Sequence, residues 1–396
     1  MLMLVLTARW LGPEGRGVAV VVTTWVTLSA QLLYLSLGQI CVHRAASESD
    51  QRWIGPVLWA LLIIAALATI LGWAIAAAAW ALTGGRVFGA VPAPALLLGF
   101  AALPFFIWEQ YSSALLSILG RLKVYNVNQL IGRTFGILML VVTIRGLGMG
   151  LYGFLVAFVL TQLVVAGGGI GLLMRHLRGQ VRGGISAIGG LVRDGAKIHI
   201  NAIGVMLYSG MDILMLNHFR GPAETAIFQF AMQLFLALLL VPQSAVLALQ
   251  GHVALRSIDK FWWDHRMVMV LVVGVMSLIA TLLWLVAPWL VPLLATNKFA
   301  GSIGVFRLLL VALPLASFST LMAIQWIARG YFWRASLITL GMGAMSLVLN
   351  LILMPRLGAT GGALSMVASY LGVSLIANGS LAIHAHRDAV AQRVHR

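Results

Sequence analysis

The sequence predicts an all-α polytopic membrane protein of about twelve transmembrane helices, the first of them incomplete, arranged as two parallel repeats of six. Three observations carry that expectation. Hydrophobic residues fill 61% of the 396 positions and charged residues 9%, with a mean hydropathy of +1.00. Soluble domains carry about a quarter charged residues, so this chain uses lipid as its solvent. The apolar residues fall into continuous runs of about twenty, without period-two alternation, and helices satisfy the backbone inside lipid. Landmarks also recur at one spacing. Pro13 in "WLGPEGRG" and Pro222 in "FRGPAETA" are 209 positions apart. Pro104 and Pro314, Gly120 and Gly330, and Leu147-Gly148 and Leu357-Gly358 are each 210 apart, the mark of an internal duplication.

In chain order, eleven full spans are expected at about 18–41, 54–82, 93–119, 125–144, 150–174, 197–218, 224–253, 266–294, 304–327, 334–354 and 361–384. Pro56, Pro104, Pro242, Pro288 and Pro314 lie in or at the ends of spans. Each removes a backbone N–H and frees a carbonyl that a neighbouring helix must satisfy. Residues 1–8 rise only about 12 Å and cannot cross a bilayer. Lys197 opens the second repeat, and 209 positions before it is position −12. The first helix is therefore expected to lack about a dozen residues, as an upstream start or a shortened chain would explain. The N-terminal bundle is assigned to 1–190 and the C-terminal bundle to 191–396, with the Gly- and Arg-rich stretch 175–196 as connector.

The net charge of +16 does not point to nucleic acid, because the basic residues stand singly between apolar runs rather than in a stripe. Counted by loop, 17 Lys and Arg fall on one side and 7 on the other. The richer side is expected to be cytoplasmic, with the C-terminus there. The single cysteine, Cys41, excludes an internal disulfide framework and reads as a small apolar filler. His199 and His252 lack metal-ligand spacing, and no cofactor or metal is expected. The runs Gly167–Gly171 and Gly358–Gly362 read as close packing or turns, since no strand precedes either.

Four stretches resemble a known family: "ARWLGPEGRG" (Ala8–Gly17), "LSLGQ" (Leu35–Gln39), "GMDILMLNHFRGPAETAIFQFAMQL" (Gly210–Leu234) and "NLILMPRLGATGGAL" (Asn350–Leu364). The chain is similar over its length to the polysaccharide and oligosaccharide flippases of the multidrug/oligosaccharidyl-lipid/polysaccharide exporter superfamily. The resemblance implies two six-helix bundles forming an alternating-access V. It also implies transport of a polyprenyl-diphosphate-linked glycan, undecaprenyl-linked in the leading reading, from the cytoplasmic to the outer leaflet of a bacterial inner membrane. The expected partners are that lipid, the surrounding membrane lipids, and a proton or sodium as coupling ion. A monomer is expected.

Such a cargo needs fixed cations for its diphosphate and polar groups for its sugar. Arg133 is the first candidate, roughly 13 Å into its span; it serves a cavity or, if its helix starts later, snorkels to the interface. Arg307, near the outer end of its span, is a second candidate with snorkelling as the alternative. Arg9 and Arg16 flank the first outer turn, and Gln39 and Asn350 are polar groups for sugar hydroxyls or for interhelical bonding. For ion coupling the candidates are Glu109, within the polar patch "FIWEQYSS", and Asp212, where the resemblance also places an acid. Glu109 either pairs with Arg133, one helix away, or takes up a proton; Asp212 couples an ion or anchors a hydrogen bond. The rival on the same fold is a cation-coupled drug or metabolite antiporter, which favours an acid-lined cleft. A membrane polymerase or ligase would need a sizeable outer loop, and every outer loop expected here is about ten residues or fewer, so the chain is not expected to be an enzyme.

Overall fold

The computed structural model describes residues 2–47, 53–89, 91–177, 189–195, 199, 206, 210–253 and 258–394. Among them the chain is helical, with no strand. It divides into two compact units, Glu14–Met206 and the set Met3–Pro13 with Leu207–Arg396. The first unit holds most of α1 (Leu2–Leu33), then α2 (Leu37–Ser47), α3 (Ile54–Thr83), α4 (Ala93–Phe100), α5 (Leu103–Ile118), α6 (Leu122–Leu140) and α7 (Gly150–His176), with a π-helical turn at Val141–Gly146. The second holds α8 (Met211–Arg220), α9 (Pro222–Leu238), α10 (Leu240–Val253), α11 (Ile258–Leu294), α12 (Gly301–Ala328), α13 (Phe332–Leu357), α14 (Ala359–Ser369) and α15 (Ile376–Val394). A second π turn, Tyr370–Leu375, joins the last two. Ten stretches among the described residues are long and apolar enough to cross a membrane. About half of the expected seventh-helix span at 197–218 and of the connector at 175–196 lies outside the described residues.

The duplication is written into the backbone. Helix α6 opens at Leu122 and α13 at Phe332; α5 closes at Ile118 and α12 at Ala328, both pairs 210 apart. Gly12 (φ 66°, ψ −179°) and Gly221 (φ 85°, ψ 178°) share a conformation open essentially only to glycine, each directly before a proline. Gly120 and Gly330, and Gly148 and Gly358, also pair at positive φ. The glycine landmarks of the repeat are thus points where the chain bends in a way that side chains resist.

Two expectations about the spans need correction. The turn expected at Trp10–Gly17 falls at Gly12, where two helical runs of α1 meet across a kink, but the span expected at 18–41 stops at Leu33. Residues Met3–Pro13 belong to the second unit, where Leu4 and Ala8 enter a core with Phe228, Phe235, Phe306 and Leu313. The expected single span 93–119 is broken at Ala101–Ala102, because Pro104 offers no N–H to the Phe100 carbonyl. That carbonyl instead accepts from Trp73 Nε1 at 3.0 Å. Between α1 and α2, Leu35 and Ser36 adopt positive φ (51° and 53°) despite their side chains. Tyr111 donates its hydroxyl to the Tyr34 carbonyl at 2.9 Å, and His199 Nδ1 lies 3.1 Å from Ser36 Oγ, so the strained turn is held from two sides.

Candidate functional site

The closest helix packing in the first unit runs along α6 and α7. A Cβ on Gly132 would fall 2.3 Å from Val165 Cγ2, and one on Gly136 would fall 2.2 Å from Thr161 Oγ1. "GRTFG" (Gly132–Gly136) is a small-xxx-small seam, the device by which lipid-embedded helices approach closely. One turn along, Asn128 Nδ2 donates to the Val165 carbonyl at 2.8 Å beside Gly168. On the α5 side, Gly169 makes room for Ser112. The expectation that the 167–171 glycines serve close packing holds at both positions.

This seam brings Gln129 and Gln162 to bear on one acid. Gln129 Nε2 donates to Glu109 Oε1 at 2.5 Å, and Gln162 Nε2 donates to Glu109 Oε2 at 2.7 Å. Gln129 Nε2 also reaches the Tyr125 hydroxyl at 2.6 Å. The expected Glu109–Arg133 pair is therefore replaced: no ion pair joins Glu109 to Arg133 among the described residues, and two neutral amides hold the carboxylate. Buried Gln129 Oε1 has no hydrogen-bond partner. The heavy-atom arrangement suits both charge states of the acid. Ionised, Glu109 accepts from the two NH₂ groups; protonated, it donates to Gln129 Oε1 once that amide turns over.

Arg133 lies one turn beyond Gln129 on α6, exposed on the surface of its unit. Because α6 opens at Leu122, Arg133 is eleven residues in (133 − 122), or roughly 16 Å along the axis. With the π turn, the stretch Leu122–Gly146 spans 25 residues, so this guanidinium sits close to its middle.

The other sequence candidates are not gathered here. Arg307 Nε donates to the Trp284 carbonyl at 2.9 Å, and its guanidinium lies 4.3 Å from the Trp284 ring centroid. That carbonyl is the one freed by Pro288, four residues on, so Arg307 repairs a proline break in α11. Arg9 donates to the Leu293 and Leu294 carbonyls, capping the C-terminus of α11, where a cation also meets the negative end of the helix dipole. Arg16 is buried in the first unit and Gln39 is exposed on α2. Asn350 is 2% exposed on α13; its Oδ1 has no partner and its Nδ2 reaches Ser346 Oγ only at 3.5 Å. Asp212 stands in the first turn of α8, with Oδ1 accepting from Ile213 N–H at 2.8 Å.

Sequence reading missed a network in the second unit. Buried His265 on α11 lies 3.1 Å through Nε2 from the Leu321 carbonyl, and Nδ1 is 3.1 Å from Gln325 Nε2. The carbonyl fixes the proton on Nε2 and makes Nδ1 the acceptor. Close by, Trp326 donates to Asn378 Oδ1 at 2.7 Å, and Asn378 donates to Ser374 Oγ at 2.9 Å. These groups bind α11, α12 and α15 together, with no exposed charge among them.

The sequence matches no family model and no curated protein. Solved structures do match. One is a lipid II flippase, MurJ, in an inward closed conformation: TM-score 0.77, 9% identity, covering 98% of this chain and 87% of that one. A multidrug resistance MATE transporter of the MOP superfamily, in an inward-facing conformation, gives 0.70 at 14% identity over 99% and 96%. A MOP superfamily transporter from Pyrococcus furiosus, described by the reversed polarity of its binding pocket, gives 0.60 at 15% over 98% and 88%. At such identities the likeness speaks for the fold, and the fold of this chain is that of the MOP superfamily transporters.

Proposed function

We propose that this chain is an alternating-access flippase that carries a polyprenyl-diphosphate-linked oligosaccharide across the bacterial cytoplasmic membrane, coupled to a proton or sodium ion. Arg133 carries the reading. A permanently charged, fork-shaped group exposed near the middle of a span is costly unless something anionic comes to it, and a diphosphate accepts two of its N–H groups at once. Glu109 is the coupling group. Its charge change turns the Gln129 amide, and Gln129 is one turn from Arg133 on the same helix, so ion occupancy and phosphate binding share a physical link. The kinship in fold to a lipid II flippase supports a lipid-linked cargo.

A second reading, the cation-coupled drug antiporter, is favoured by the same Glu109, a carboxylate without a cationic partner among the described residues, and by the MATE folds. Proteoliposomes separate the two. The flippase translocates a fluorescent prenyl-diphosphate saccharide; R133A loses that activity and R133K recovers part of it, because lysine keeps the charge but not the fork. Wild-type rates from R133A would remove Arg133 from the mechanism. Gradient-driven export of a cationic dye without any lipid translocation would establish the antiporter instead.

A further inference from the structure

A second cationic feature lies in the first unit, away from Glu109. A cavity of about 320 Å³ opens where α5 ends, α6 begins and α7 ends, lined by Leu116, Arg121, Val124, Leu172, Arg175 and His176. Its polar walls are two guanidiniums and an imidazole, and no acid lines it among the described residues. No side chain caps the N-terminus of α6, which is 19 residues long, so its first-turn N–H groups and the positive end of its dipole stand free at the same place. The remaining walls are aliphatic, and Leu122, next in sequence to Arg121, is exposed. A ligand here meets cations at its head and hydrocarbon along its side.

The duplication shows that the fold does not require these cations. At +210, Arg121 becomes Tyr331 and Arg175 becomes Ala385, which is wholly buried in its core. His176 becomes His386, and near it Asp388 pairs with Arg329 at 3.4 Å, so an acid stands beside a cation at that end of the second unit. The first unit keeps its cations at the end of the bundle where the loop charges are richest.

The geometry points to a binding site for the phosphate head group of a lipid, held by Arg121, Arg175 and His176. Basic pockets between membrane helices take anionic head groups in this way. The site stands apart from the transport reading, and either an anionic phospholipid or a prenyl phosphate supplies the chemistry.

Native mass spectrometry of the full chain in mild detergent tests it, with phosphatidylglycerol, undecaprenyl phosphate, phosphatidylcholine and inorganic phosphate as probes. The wild type retains at least one of the two anionic lipids and not phosphatidylcholine; which of them it retains identifies the source. R121Q/R175Q weakens that binding roughly thirtyfold, since each removed charge is worth about a factor of five. R121K/R175K retains most of it, which separates charge loss from misfolding. R266Q/R334Q, which removes two charges from the second unit, leaves binding within about twofold. Equal losses from the two neutralised pairs would reduce the effect to general surface charge and overturn the site. So would equal retention of phosphatidylcholine, and displacement of the lipid by millimolar inorganic phosphate would overturn the lipid assignment.

Discussion

Gly136 offers the sharpest test of how the fold holds Glu109. In G136A the new Cβ falls 2.2 Å from Thr161 Oγ1 and 3.1 Å from its Cγ2. Thr161 is not free to swing aside, because its hydroxyl donates to the Ala157 carbonyl at 2.6 Å. Ordinary contact begins near 3.4 Å, so α6 and α7 must part by about 1.2 Å (3.4 − 2.2). Overpacking of this kind costs about 1–3 kcal/mol. The functional consequence is larger. Gln129 rides on α6 and Gln162 on α7, and both grip one carboxylate; adding about 1.2 Å to the 2.7 Å Gln162 bond gives about 3.9 Å, too long for a hydrogen bond. Thermal melts in detergent and ion-driven transport in proteoliposomes are the assays. G136A melts several degrees lower and loses coupling, while G136A/T161A, which removes the obstructing oxygen, regains most of both. A G136A protein with wild-type melting, or a double variant no better than the single, would show that the seam does not set the spacing of the clamp.

Three further substitutions probe separate links. R307A leaves the Trp284 carbonyl without its donor and lowers stability by about 1–3 kcal/mol; adding P288A returns a backbone N–H to that carbonyl and restores part of the loss, which a melt of the four proteins of the cycle reads. E109Q keeps the size of the side chain and can still accept from one glutamine, so it folds and melts near wild type yet transports without dependence on the ion gradient; gradient-driven accumulation by E109Q would exclude Glu109 as the coupling group. Y111F removes the bond to the Tyr34 carbonyl and with it one of the restraints on the left-handed Leu35-Ser36 turn, costing about 1 kcal/mol, measured as an earlier melt of the first unit.

The helices and the duplication were legible because both are written in strong local signals, hydropathy runs and glycine-proline turns. The breaks inside spans were not. Hydropathy is blind to φ, so the Ala101–Ala102 turn and the left-handed Leu35-Ser36 turn sit unmarked within apolar sequence. Proline did give warning of freed carbonyls, and Trp73 and Arg307 are the partners that repair two of them. Glu109 stood out in sequence as an acid in a polar patch, but charge alone suggested Arg133 as its partner. The actual donors are amides 20 and 53 positions away, brought in by a glycine seam that the five letters "GRTFG" would have revealed. His265 and Gln325, 60 positions apart on different helices, left no periodic trace.

The duplication itself separates what the fold needs from what the activity needs. Two copies of one helical plan share its turns, so a residue that a turn requires recurs 210 positions on. The turn glycines at 120 and 148 do so, with the same backbone sign at 330 and 358. The polar cluster does not. Glu109, Gln129, Gln162 and Arg133 correspond to Ser319, Thr339, Gly372 and Gly343, none of which carries charge or an amide. The second unit folds without a half-buried acid, a pair of amides on it or a mid-span guanidinium at those places. A half-buried Glu109 and an exposed Arg133 at mid-span each oppose stability in lipid, and the proposed function gives both a reason to occur in one repeat alone.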